Sequence, residues 1–550
     1  MRVHLVNPSD LSFGTAVITP RWLFVIAAAT PEVYGPPALV DETLEPFDPA
    51  TVSAGDVVGI GIHTGNALRG YTIGALARAR GAFVVYGGIH ATLFPDECLE
   101  RGAAHAIVSG DGDVVWSAVL ADCEAGSPQT RYDGGRVEGS AFLRARWDLL
   151  QSDRYMWGSV QTLRGCPKHC SFCSVWRTDG QKPRDRSVED VVAEIVDLRR
   201  RGFRFILLAD DNFYPVTLAD LAMAGRRANP QQLQSLAAVR QARFDLMARL
   251  EQLPEDLVFY TQITMEAAED PEFLDAMRRA RIRGALVGVE SVTPEGLKAV
   301  YKDFNMAGEA LVQRLQRFRE RGVHVLGSFI FGLPTDRPDT CPARADLAQR
   351  AGVSFAQFVM LAPLPGTLDF ARWEREPSAG VRVQDVPLSR YWLIPSAARP
   401  RIYAPHPAMS ADQIRQGTQA TWDSFYSLPN IWQRSSCVSS LKGRLAFVLI
   451  SKLYRQMYAN TGIATDSARV ARSAKRARVL ARFARRLFVT TPMPGLEVPA
   501  PVPRPLLSPH LHELERGQHA MQVIAAGAAA PQEDAARPGE LPLASTSVSG

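Results

Sequence analysis

The stretch RGCPKHCSFCSVWR, residues 164–177, places three cysteines at spacings of four and three within one loop. These are Cys166, Cys170 and Cys173, and thiolates are the common ligands of iron–sulfur clusters, which usually take four of them. Three thiolates would leave one iron open to an outside ligand, much as a catalytic zinc keeps a free position for its substrate. The loop therefore predicts a cluster with one open iron.

Two other interpretations of the three cysteines stay open at this point. A zinc site could use His169 as its fourth ligand, although zinc loops usually pair one Cys-x2-Cys with a second, and the other cysteines make none. Three inert buried thiols would be prone to oxidation at such short spacing. The remaining cysteines are Cys98, Cys123, Cys341 and Cys437, and so few of them favour a reducing compartment over a disulfide framework.

Around this loop one pattern repeats: an Arg-rich amphipathic helix, a glycine, and a run of β-branched and aromatic residues. RRRG followed by FRFILLADD and RERG followed by VHVLGSFIFG are two examples. Apolar strands that alternate with helices indicate a parallel sheet covered on both faces. The sequence thus predicts an α/β fold with left-handed glycines at the helix ends. These glycines are Gly81, Gly202, Gly284, Gly322 and Gly352.

Polar residues collect where the predicted strands end, and in parallel α/β folds the site lies at the carboxyl ends of the strands. Asp210, Asp211 and Asn212 follow FILLA, Glu290 and Ser291 follow ALVGV, the turn in GSFIFGLPTD ends another strand, and PLPGT follows FVMLA. Any one of these residues could equally be a helix cap or a turn residue. The same behaviour at four consecutive strands favours a functional site.

The chain divides into five predicted segments, since 550 residues exceed a single core. Residues 1–140 contain the strands RVHLVN, VVGIGIH, AFVVYGG and AHAIVSG, and we expect a separate α/β domain suited to a nucleotide-like ligand. We expect a linker at 141–155, the repeating α/β domain at 156–380, and a mainly helical region at 381–490. Residues 491–550 are rich in Pro and Ala and predict a disordered tail.

Composition and charge set further limits. Hydrophobic residues make up 46% and charged residues 22% of the chain, and the net charge is +5, with positive charge concentrated near the C-terminus. No signal core is visible, and the apolar run WLFVIAAA is shorter than the roughly 20 residues of a spanning helix, so we expect a cytoplasmic protein. The segment ARVARSAKRARVLARFARRLF predicts a basic helix that either packs on its own protein or contacts a membrane surface or an anionic partner.

Cys-x3-Cys-x2-Cys with the aromatic Phe172 before the last cysteine, at the head of a repeating α/β domain, closely resembles the radical S-adenosylmethionine (SAM) superfamily over residues 160–370. The resemblance implies a partial (β/α)6 barrel. It also implies that Cys166, Cys170 and Cys173 bind a 4Fe-4S cluster whose open iron chelates the amine and carboxylate of SAM. One electron, from a donor such as flavodoxin or ferredoxin, would then cleave SAM to a 5'-deoxyadenosyl radical.

Other elements of the chain resemble this family at single positions. ADDNF is similar to the second-strand element that receives the methionine amine, which implies a role for Asp210 and Asp211. GVES resembles the fourth-strand element near the ribose and so implies Glu290 and Ser291. GSFIFG resembles the fifth strand, where Gly327 would let the adenine approach the backbone. PLPGT looks like the loop on the adenine side.

The first domain resembles the flavodoxin- or Rossmann-like cobalamin-binding domain that often precedes this barrel. GGIHATLFPDE and AIVSGDGD carry the likeness, which implies that Gly87, Gly88 and His90 lie near the cofactor. The Asp-x-His-x-x-Gly motif, whose His ligates cobalt in other cobalamin proteins, is absent, and Asp111 and Asp113 stand where relatives commonly carry Glu. The alternative is a flavodoxin-like domain retained only for packing.

Together these resemblances imply a cobalamin-dependent radical SAM enzyme, a C-methyltransferase that methylates an unactivated carbon of a small-molecule or lipid-like metabolite. One SAM would methylate cobalamin, and a second would yield the radical that activates the substrate. The alternatives are a cyclase or rearrangement enzyme with the same domains, and a non-catalytic iron–sulfur protein. We do not expect a nucleic-acid partner, because the second three-cysteine set and the small RNA-binding barrel of the RNA methylthiotransferases are not visible.

Overall fold

The computed structural model describes residues 1–10, 16–227, 229–395, 397–400, 404–460, 489–490, 492–493 and 497. The predicted basic helix at 468–488 and almost all of the predicted tail at 491–550 lie outside the described residues. Within the described part, strands and helices alternate as far as Pro387, and helices follow from Ala411 onward.

Among the described residues, the strands form the two large sheets of the fold and two short two-stranded ones. In chain order they are β1 (Val3–Asn7), β2 (Ala16–Ile18), β3 (Ala38–Asp41), β4 (Val57–Gly61), β5 (Phe83–Gly87), β6 (Ala106–Ser109), β7 (Arg131–Asp133), β8 (Tyr155–Val160), β9 (Leu163–Arg164), β10 (Arg184–Asp185), β11 (Phe205–Leu208), β12 (Val258–Ile263), β13 (Ile282–Glu290), β14 (His324–Phe331), β15 (Phe355–Met360), β16 (Arg382–Val383) and β17 (Val386–Pro387).

The α-helices connect and cover these strands. In chain order they are α1 (Arg21–Ala29), α2 (Ala67–Ala79), α3 (Ile89–Leu93), α4 (Pro95–Arg101), α5 (Trp116–Glu124), α6 (Val175–Thr178), α7 (Val188–Arg200), α8 (Leu218–Arg226), α9 (Pro230–Glu251), α10 (Pro271–Arg279), α11 (Pro294–Ala299), α12 (Gly308–Glu320), α13 (Thr340–Arg350), α14 (Leu368–Trp373), α15 (Pro377–Gly380), α16 (Ala411–Phe425), α17 (Leu428–Arg434) and α18 (Leu441–Asn460).

The first sheet has six strands in the order β3-β1-β4-β5-β6-β7, and each neighbouring pair is parallel. The order reverses between β1 and β4, as in the flavodoxin-like fold, whose ligands bind at the carboxyl ends of the strands beside the reversal. The four strands expected from the sequence are β1, β4, β5 and β6, the centre of this sheet. The edge strands β3 and β7 are too short to show a residue periodicity.

The second sheet has the order β15-β14-β13-β12-β11-β8-β2 and is also parallel throughout. Six of its strands, from β8 to β15, follow one another in chain order with helices between them, which confirms the predicted partial (β/α)6 barrel. The seventh strand, β2, comes from the first twenty residues and pairs with β8 through Ala16 and Ile18. Residues 1–140 therefore contribute an edge strand to the barrel sheet, which the sequence pattern does not reveal.

Most of the predicted left-handed glycines have that conformation. The φ angles are +80° at Gly81, +93° at Gly202, +75° at Gly322 and +67° at Gly352. Each glycine follows the last turn of a helix and directs the chain back into the next strand. The repeated helix–glycine–strand pattern thus predicts these four turns correctly.

The prediction for Gly284 is wrong. Helix α10 ends at Arg279, and Arg281 takes the left-handed conformation with a φ of +60°. Gly284 instead lies inside β13, where an added Cβ would meet the Tyr260 ring at 2.8 Å. The turn falls earlier than expected because the strand begins at Ile282, so packing against the neighbouring strand accounts for the glycine.

A buried charge cluster joins the two sheet layers at Glu194 of α7. Arg21 of α1 donates to this carboxylate through Nη2 at 2.7 Å and Nε at 3.0 Å, and Arg186 donates at 2.6 Å. Burial alone would raise the pKa of Glu194, but the charges of Arg21 and Arg186 outweigh burial and hold this pKa below its ordinary value. The cluster therefore fixes the first helix of the chain against the helix that follows the cysteine loop.

A second link is the fully buried Trp392, from the chain that follows the barrel. Its Nε1 donates to Glu97 Oε1 at 2.8 Å, and its ring packs edge-on against His90 at 5.5 Å. Phe370 and Trp373 of α14 belong to the same apolar core as strands β4 and β5. The segment after β15 thus returns to cover one face of the first sheet.

Helices α16 to α18 cover β15, the edge strand of the barrel sheet. Trp422 donates through Nε1 to the Phe358 carbonyl at 2.8 Å, and the Tyr426 hydroxyl donates to the Ala356 carbonyl at 2.8 Å. These side chains satisfy backbone groups that an edge strand otherwise leaves open to another chain. Every helix among the described residues is too short or too polar to span a lipid bilayer.

Substitution of Glu194 tests the link between the layers. Glu194→Gln leaves two buried arginines without their carboxylate, so we expect the free energy of unfolding to fall by about 3–5 kcal/mol at neutral pH. Because the pKa of Glu194 is lowered in the folded state, this difference should be complete above the unfolded pKa of about 4 and disappear as the pH falls further. Denaturant titration at several pH values measures both effects.

The control for this substitution is Glu309→Gln. Glu309 pairs with Arg350 at 2.9 Å on the surface, where both side chains are about half exposed or more. We expect the loss of this surface pair to lower the free energy of unfolding by no more than about 1 kcal/mol. Equal stability losses for the two variants would contradict the assignment of Glu194 as a buried link.

Candidate active site

The cysteine loop lies at the carboxyl end of the barrel sheet, between β8 and α7. The backbone N–H of Cys166 donates to the Gly180 carbonyl at 3.1 Å and closes the base of the loop. Ser171, between the last two cysteines, donates through its N–H to the Val300 carbonyl at 3.2 Å and accepts from the Leu368 N–H at 3.0 Å. The loop is therefore bonded to the chain that follows β13 and to the chain that follows β15.

The three cysteines form one buried or half-buried group, and their thiols interact electrostatically with one another. Burial raises the pKa of Cys166 to about 12 and that of Cys170 to about 11, and it also raises the pKa of Cys173. The backbone N–H groups of Lys168 and Val175 act against burial and keep the pKa values of Cys166 and Cys173 lower than burial alone would make them. Such sulfurs fit an iron–sulfur cluster, because iron displaces the thiol protons and N–H donors stabilise the bound sulfur.

The fourth ligand of the zinc alternative, His169, is exposed, with its ring beside that of Tyr301 at 6.0 Å. Among the described residues, no group of three or more His, Cys, Asp or Glu has a geometry that could hold a metal ion. An iron–sulfur cluster binds each of its cysteines at a separate iron atom, so its ligands need not converge on one ion. Cys166, Cys170 and Cys173 are the residues that would hold such a cluster.

Glu290 and Lys302 form a buried ion pair beside the cysteines. Lys302 Nζ donates to Glu290 Oε1 at 2.7 Å, and the charges of both residues act on Cys170. Glu290 ends β13 with a φ of +62°, a strained conformation for a residue other than glycine. Gly288 makes room for the pair, because an added Cβ would lie 2.3 Å from both the Glu290 carboxylate and the Lys302 ammonium group. The strained turn thus holds an ion pair at the site.

Asp210 and Asp211 both follow β11 but have different surroundings. Asp210 is fully buried and accepts from the Thr162 N–H at 2.6 Å, from the Thr162 hydroxyl, and from the Leu163 N–H at 3.0 Å. Its two oxygens therefore hold the chain that leads into the cysteine loop. Asp211 accepts from the Gly165 N–H at 2.8 Å, and its charge acts on two of the three cysteines. Burial raises the pKa of Asp211 to about 6.

Ser291 and Gly327 lie in packed surroundings. Ser291 is fully buried, and its hydroxyl accepts from the Thr293 N–H at 3.3 Å in the turn that begins α11. At Gly327 the space for a Cβ is filled by the Phe329 ring at 2.9 Å and by Val353 at 3.3 Å. Local packing thus accounts for both residues, and it offers no support for their predicted contact with SAM.

The two glycines that end β5 differ in what surrounds them. Among the described residues, an added Cβ at Gly87 would meet only the Val108 carbonyl, at 3.9 Å, so there is room beside Gly87 at the carboxyl end of the sheet. Gly88 has a φ of +92°, and a Cβ there would lie 2.6 Å from the Ile62 carbonyl. Gly88 therefore serves the close crossing of two backbones, while Gly87 leaves room for a ligand.

The His90 ring is fully buried and has protein partners at both nitrogens. Nδ1 lies 3.3 Å from the Thr64 hydroxyl, and Nε2 lies 3.1 Å from the Tyr71 hydroxyl and 3.2 Å from Glu97. Trp392 packs against the same ring. These contacts give His90 a structural role, and its predicted place near the cofactor stays a prediction.

Asp111, which follows β6, joins the first sheet to the cysteine loop. Its Oδ1 accepts from Arg164 at 2.5 Å and its Oδ2 accepts from Arg184, and both guanidinium groups lie over the Phe142 ring. Arg164 stands two residues before Cys166 in the chain. From the sequence, Asp111 is noticed only as a departure from the family pattern. Its pairing with Arg164 cannot be predicted there, because the two residues are 53 positions apart and no local pattern connects them.

A second contact between the sheets' carboxyl ends lies at Gly366, in the loop after β15. Gly366 has a φ of +83°, and a Cβ there would lie 3.1 Å from Leu93 of α3 and 3.1 Å from Ser174 at the end of the cysteine loop. The loop after β15, the helix after β5 and the cysteine loop therefore meet at one point. The strand-end regions of the two sheets therefore adjoin at this point.

Comparison with known proteins agrees with this geometry. A sequence model of the radical SAM superfamily matches residues 160–348. The chain is 26% identical over 372 residues to the hopanoid C-2 methylase of Rhodopseudomonas palustris (strain TIE-1), a match that covers 66% of this chain and 65% of that protein. The chain thus spans slightly less than two thirds of that relative.

Two solved structures share the fold over most of the chain. TsrM from Kitasatospora setae, a radical SAM methyltransferase with cobalamin and a [4Fe-4S] cluster bound, superposes with a TM-score of 0.58 at 18% identity, covering 83% of this chain and 100% of that one. The cobalamin-dependent SAM radical enzyme OxsB, with aqua-cobalamin bound, superposes with a TM-score of 0.59 at 13% identity. The match covers 96% of this chain and 81% of that one. At these identities the likeness shows the fold alone.

The family match includes the cysteine loop and strands β11 to β14, which carry the buried thiols, Asp211 and the Glu290–Lys302 pair. The first sheet and the barrel together have the fold of two proteins whose structures were solved with cobalamin bound. Residues 160–348 of this chain match the radical S-adenosylmethionine superfamily, and the cluster loop and the polar strand ends lie within the matched region.

Proposed function

We propose that this protein is a cobalamin-dependent C-methyltransferase that methylates an unactivated carbon of a small-molecule or lipid-like metabolite through radical SAM chemistry. The observation that carries the proposal is the bond between the two strand-end regions, where Asp111 of the first sheet accepts from Arg164 and Arg184 beside the cysteine loop. A methyl carrier at the first sheet and a radical source at the barrel would face one substrate. Such alignment is the geometric requirement for group transfer.

The chain's own residues would bind and orient the cofactors. Cys166, Cys170 and Cys173 would hold the cluster, and Asp211, beside two of them, would receive the methionine amine of SAM. Gly87 leaves the space that a large cofactor needs at the end of β5. When bound, the cluster supplies the electron that cleaves SAM, and cobalamin carries the methyl group.

An electron donor such as flavodoxin or ferredoxin belongs to the same proposal, as does a cytoplasmic location. A small cavity of about 150 Å³ borders the cysteine loop and is lined in part by Pro167, Lys168 and Arg227. The exposed Arg227 suits an acidic electron carrier, whereas Lys168 is paired with Glu266 at 2.9 Å and Asp220 also lines the cavity. The free cysteines among the described residues accord with a reducing compartment.

The product distinguishes this function from its alternatives. The reconstituted protein is incubated anaerobically with a strong reductant, a lipid and metabolite extract, and SAM labelled with a deuterated methyl group. We expect 5'-deoxyadenosine and a product in which the labelled methyl replaces hydrogen, both measured by mass spectrometry. An isomeric or dehydrogenated product would assign a cyclase or rearrangement enzyme, and no 5'-deoxyadenosine would assign a non-catalytic iron–sulfur protein.

Substitution of one cysteine tests the cluster. In Cys170→Ala we expect iron content and SAM cleavage to be lost while the thermal unfolding midpoint changes little, because the buried thiol makes its main contribution as a ligand. Cys437→Ala is the matched control, a half-buried cysteine outside the loop, and it should keep both properties. Iron analysis and 5'-deoxyadenosine formation check the result, and a Cys170→Ala variant that cleaves SAM would refute the site.

Substitutions of the adjacent Asp210 and Asp211 should have different effects, one on protein stability and the other on SAM binding. In Asp211→Asn we expect the cluster to remain and the dissociation constant of SAM to rise roughly tenfold or more, because a charged hydrogen bond is lost. In Asp210→Asn we expect the free energy of unfolding to fall by about 1–3 kcal/mol, because the amide would face buried N–H donors. Calorimetric titration and denaturant titration measure the two effects, and the reverse pattern would exchange the two roles.

A further inference from the structure

Helix α18 carries a row of exposed leucines on the side that faces away from the protein. Leu441, Leu445 and Leu449 recur at every fourth position, and their exposed fractions are 65%, 56% and 46%. The opposite side of the helix is anchored, since the Phe447 ring packs on Phe355 of β15 at 5.3 Å. The leucine row therefore lies at the surface because the inner side of α18 is already fixed on the barrel edge.

The neighbouring helix α17 extends this apolar surface. Leu428 and Trp432, four residues apart, are 60% and 43% exposed. The Arg444 guanidinium group lies 4.1 Å from the centre of the Trp432 ring and donates to the Trp432 carbonyl at 3.2 Å. Arg444 stands next to Leu445, so the two helices present one surface. This surface, the leucine face, consists of Leu428, Trp432, Leu441, Leu445 and Leu449.

The segment that carries the leucine face has charges of one sign only. No Asp or Glu occurs between Asp423 and Asp466, whereas this stretch contains Arg434, Lys442, Arg444, Lys452 and Arg455. Lys442 and Lys452 are exposed, and Lys452 donates to the Tyr426 carbonyl at 2.7 Å. Arg455 pairs with Asp423 at 2.9 Å, at the boundary of this stretch. The sequence that follows, residues 468–488, adds eight Lys and Arg residues.

Exposed leucines and a tryptophan among cations are the composition of a helix that lies in a membrane interface. Leucine enters the boundary between headgroups and acyl chains, tryptophan sits at headgroup level, and lysine reaches the phosphates. A second copy of this chain fits the face less well, because a two-fold contact would bring Lys442 and Arg444 of both copies together without acidic residues between them. Charge complementarity therefore favours an anionic lipid surface.

We propose that the leucine face docks this protein onto anionic membranes, with Leu441, Leu445 and Leu449 in the interface and Lys442 at the lipid phosphates. The proposal goes beyond the methyltransferase function and does not depend on it. It also differs from a membrane contact made by the basic segment at 468–488 alone, because it assigns the apolar part of the binding to α17 and α18.

The test is sedimentation of the full-length protein with lipid vesicles. We expect binding to phosphatidylcholine vesicles that contain about a third phosphatidylglycerol, weaker binding at high salt, and little binding to phosphatidylcholine alone. Leu445→Glu should lower the affinity for the anionic vesicles roughly tenfold, because an apolar contact is replaced by a repelled charge. The matched control is Leu76→Glu, at an exposed leucine of α2, which should bind like the unchanged protein.

Each other outcome would overturn the proposal. Binding that survives Leu445→Glu would belong to the basic segment, and equal loss in Leu445→Glu and Leu76→Glu would reflect added negative charge alone. Absence of vesicle binding, with a dimer that Leu445→Glu dissociates in analytical ultracentrifugation, would assign the face to a second copy. Thermal unfolding of both variants should match the unchanged protein, since both side chains are exposed.

Discussion

The buried carboxylate of Asp111 is the interaction on which the arrangement of the site depends. Two guanidinium groups share it, and the Phe142 ring lies under both. A buried charge cluster of this kind adds little net stability, because desolvation offsets the attraction, but breaking it is costly. Its main effect is therefore on orientation: it holds the carboxyl ends of the first sheet next to the residues that flank the cysteine loop.

The cysteine loop in turn depends on the whole barrel rather than on its own short sequence. Its middle residue, Ser171, is bonded to Val300 after β13 and to Leu368 after β15. Its entrance is held by Asp210 after β11. Three loops from different strands thus fix the positions of the thiols, and the parallel arrangement brings those loops to one edge. The barrel topology therefore determines where the thiols lie, because it places all of the loops that hold them at the carboxyl ends of the strands.

Neighbouring residues in this site have different tasks because consecutive side chains after a strand point in different directions. Asp210 is enclosed and bonds to the backbone of the cysteine loop, whereas Asp211 lies beside the cysteines. Glu290 pairs with Lys302, whereas the Ser291 hydroxyl accepts a hydrogen bond from the Thr293 N–H in the following turn. A motif such as ADDNF or GVES names the region of the site, but the fold decides which of its residues faces the chemistry.

The amino-acid sequence by itself determined the features that have a local or periodic signal. The spacing of Cys166, Cys170 and Cys173 identifies the cluster loop, and the repeated helix–glycine–strand pattern indicates both parallel sheets with their polar strand ends. Only the tertiary structure placed β2 in the barrel sheet, paired Asp111 with Arg184, and left the leucine face exposed among the described residues. The physical reason is that propensity and periodicity act over a few residues, whereas these features depend on where distant segments of the chain return and which side of a helix they cover.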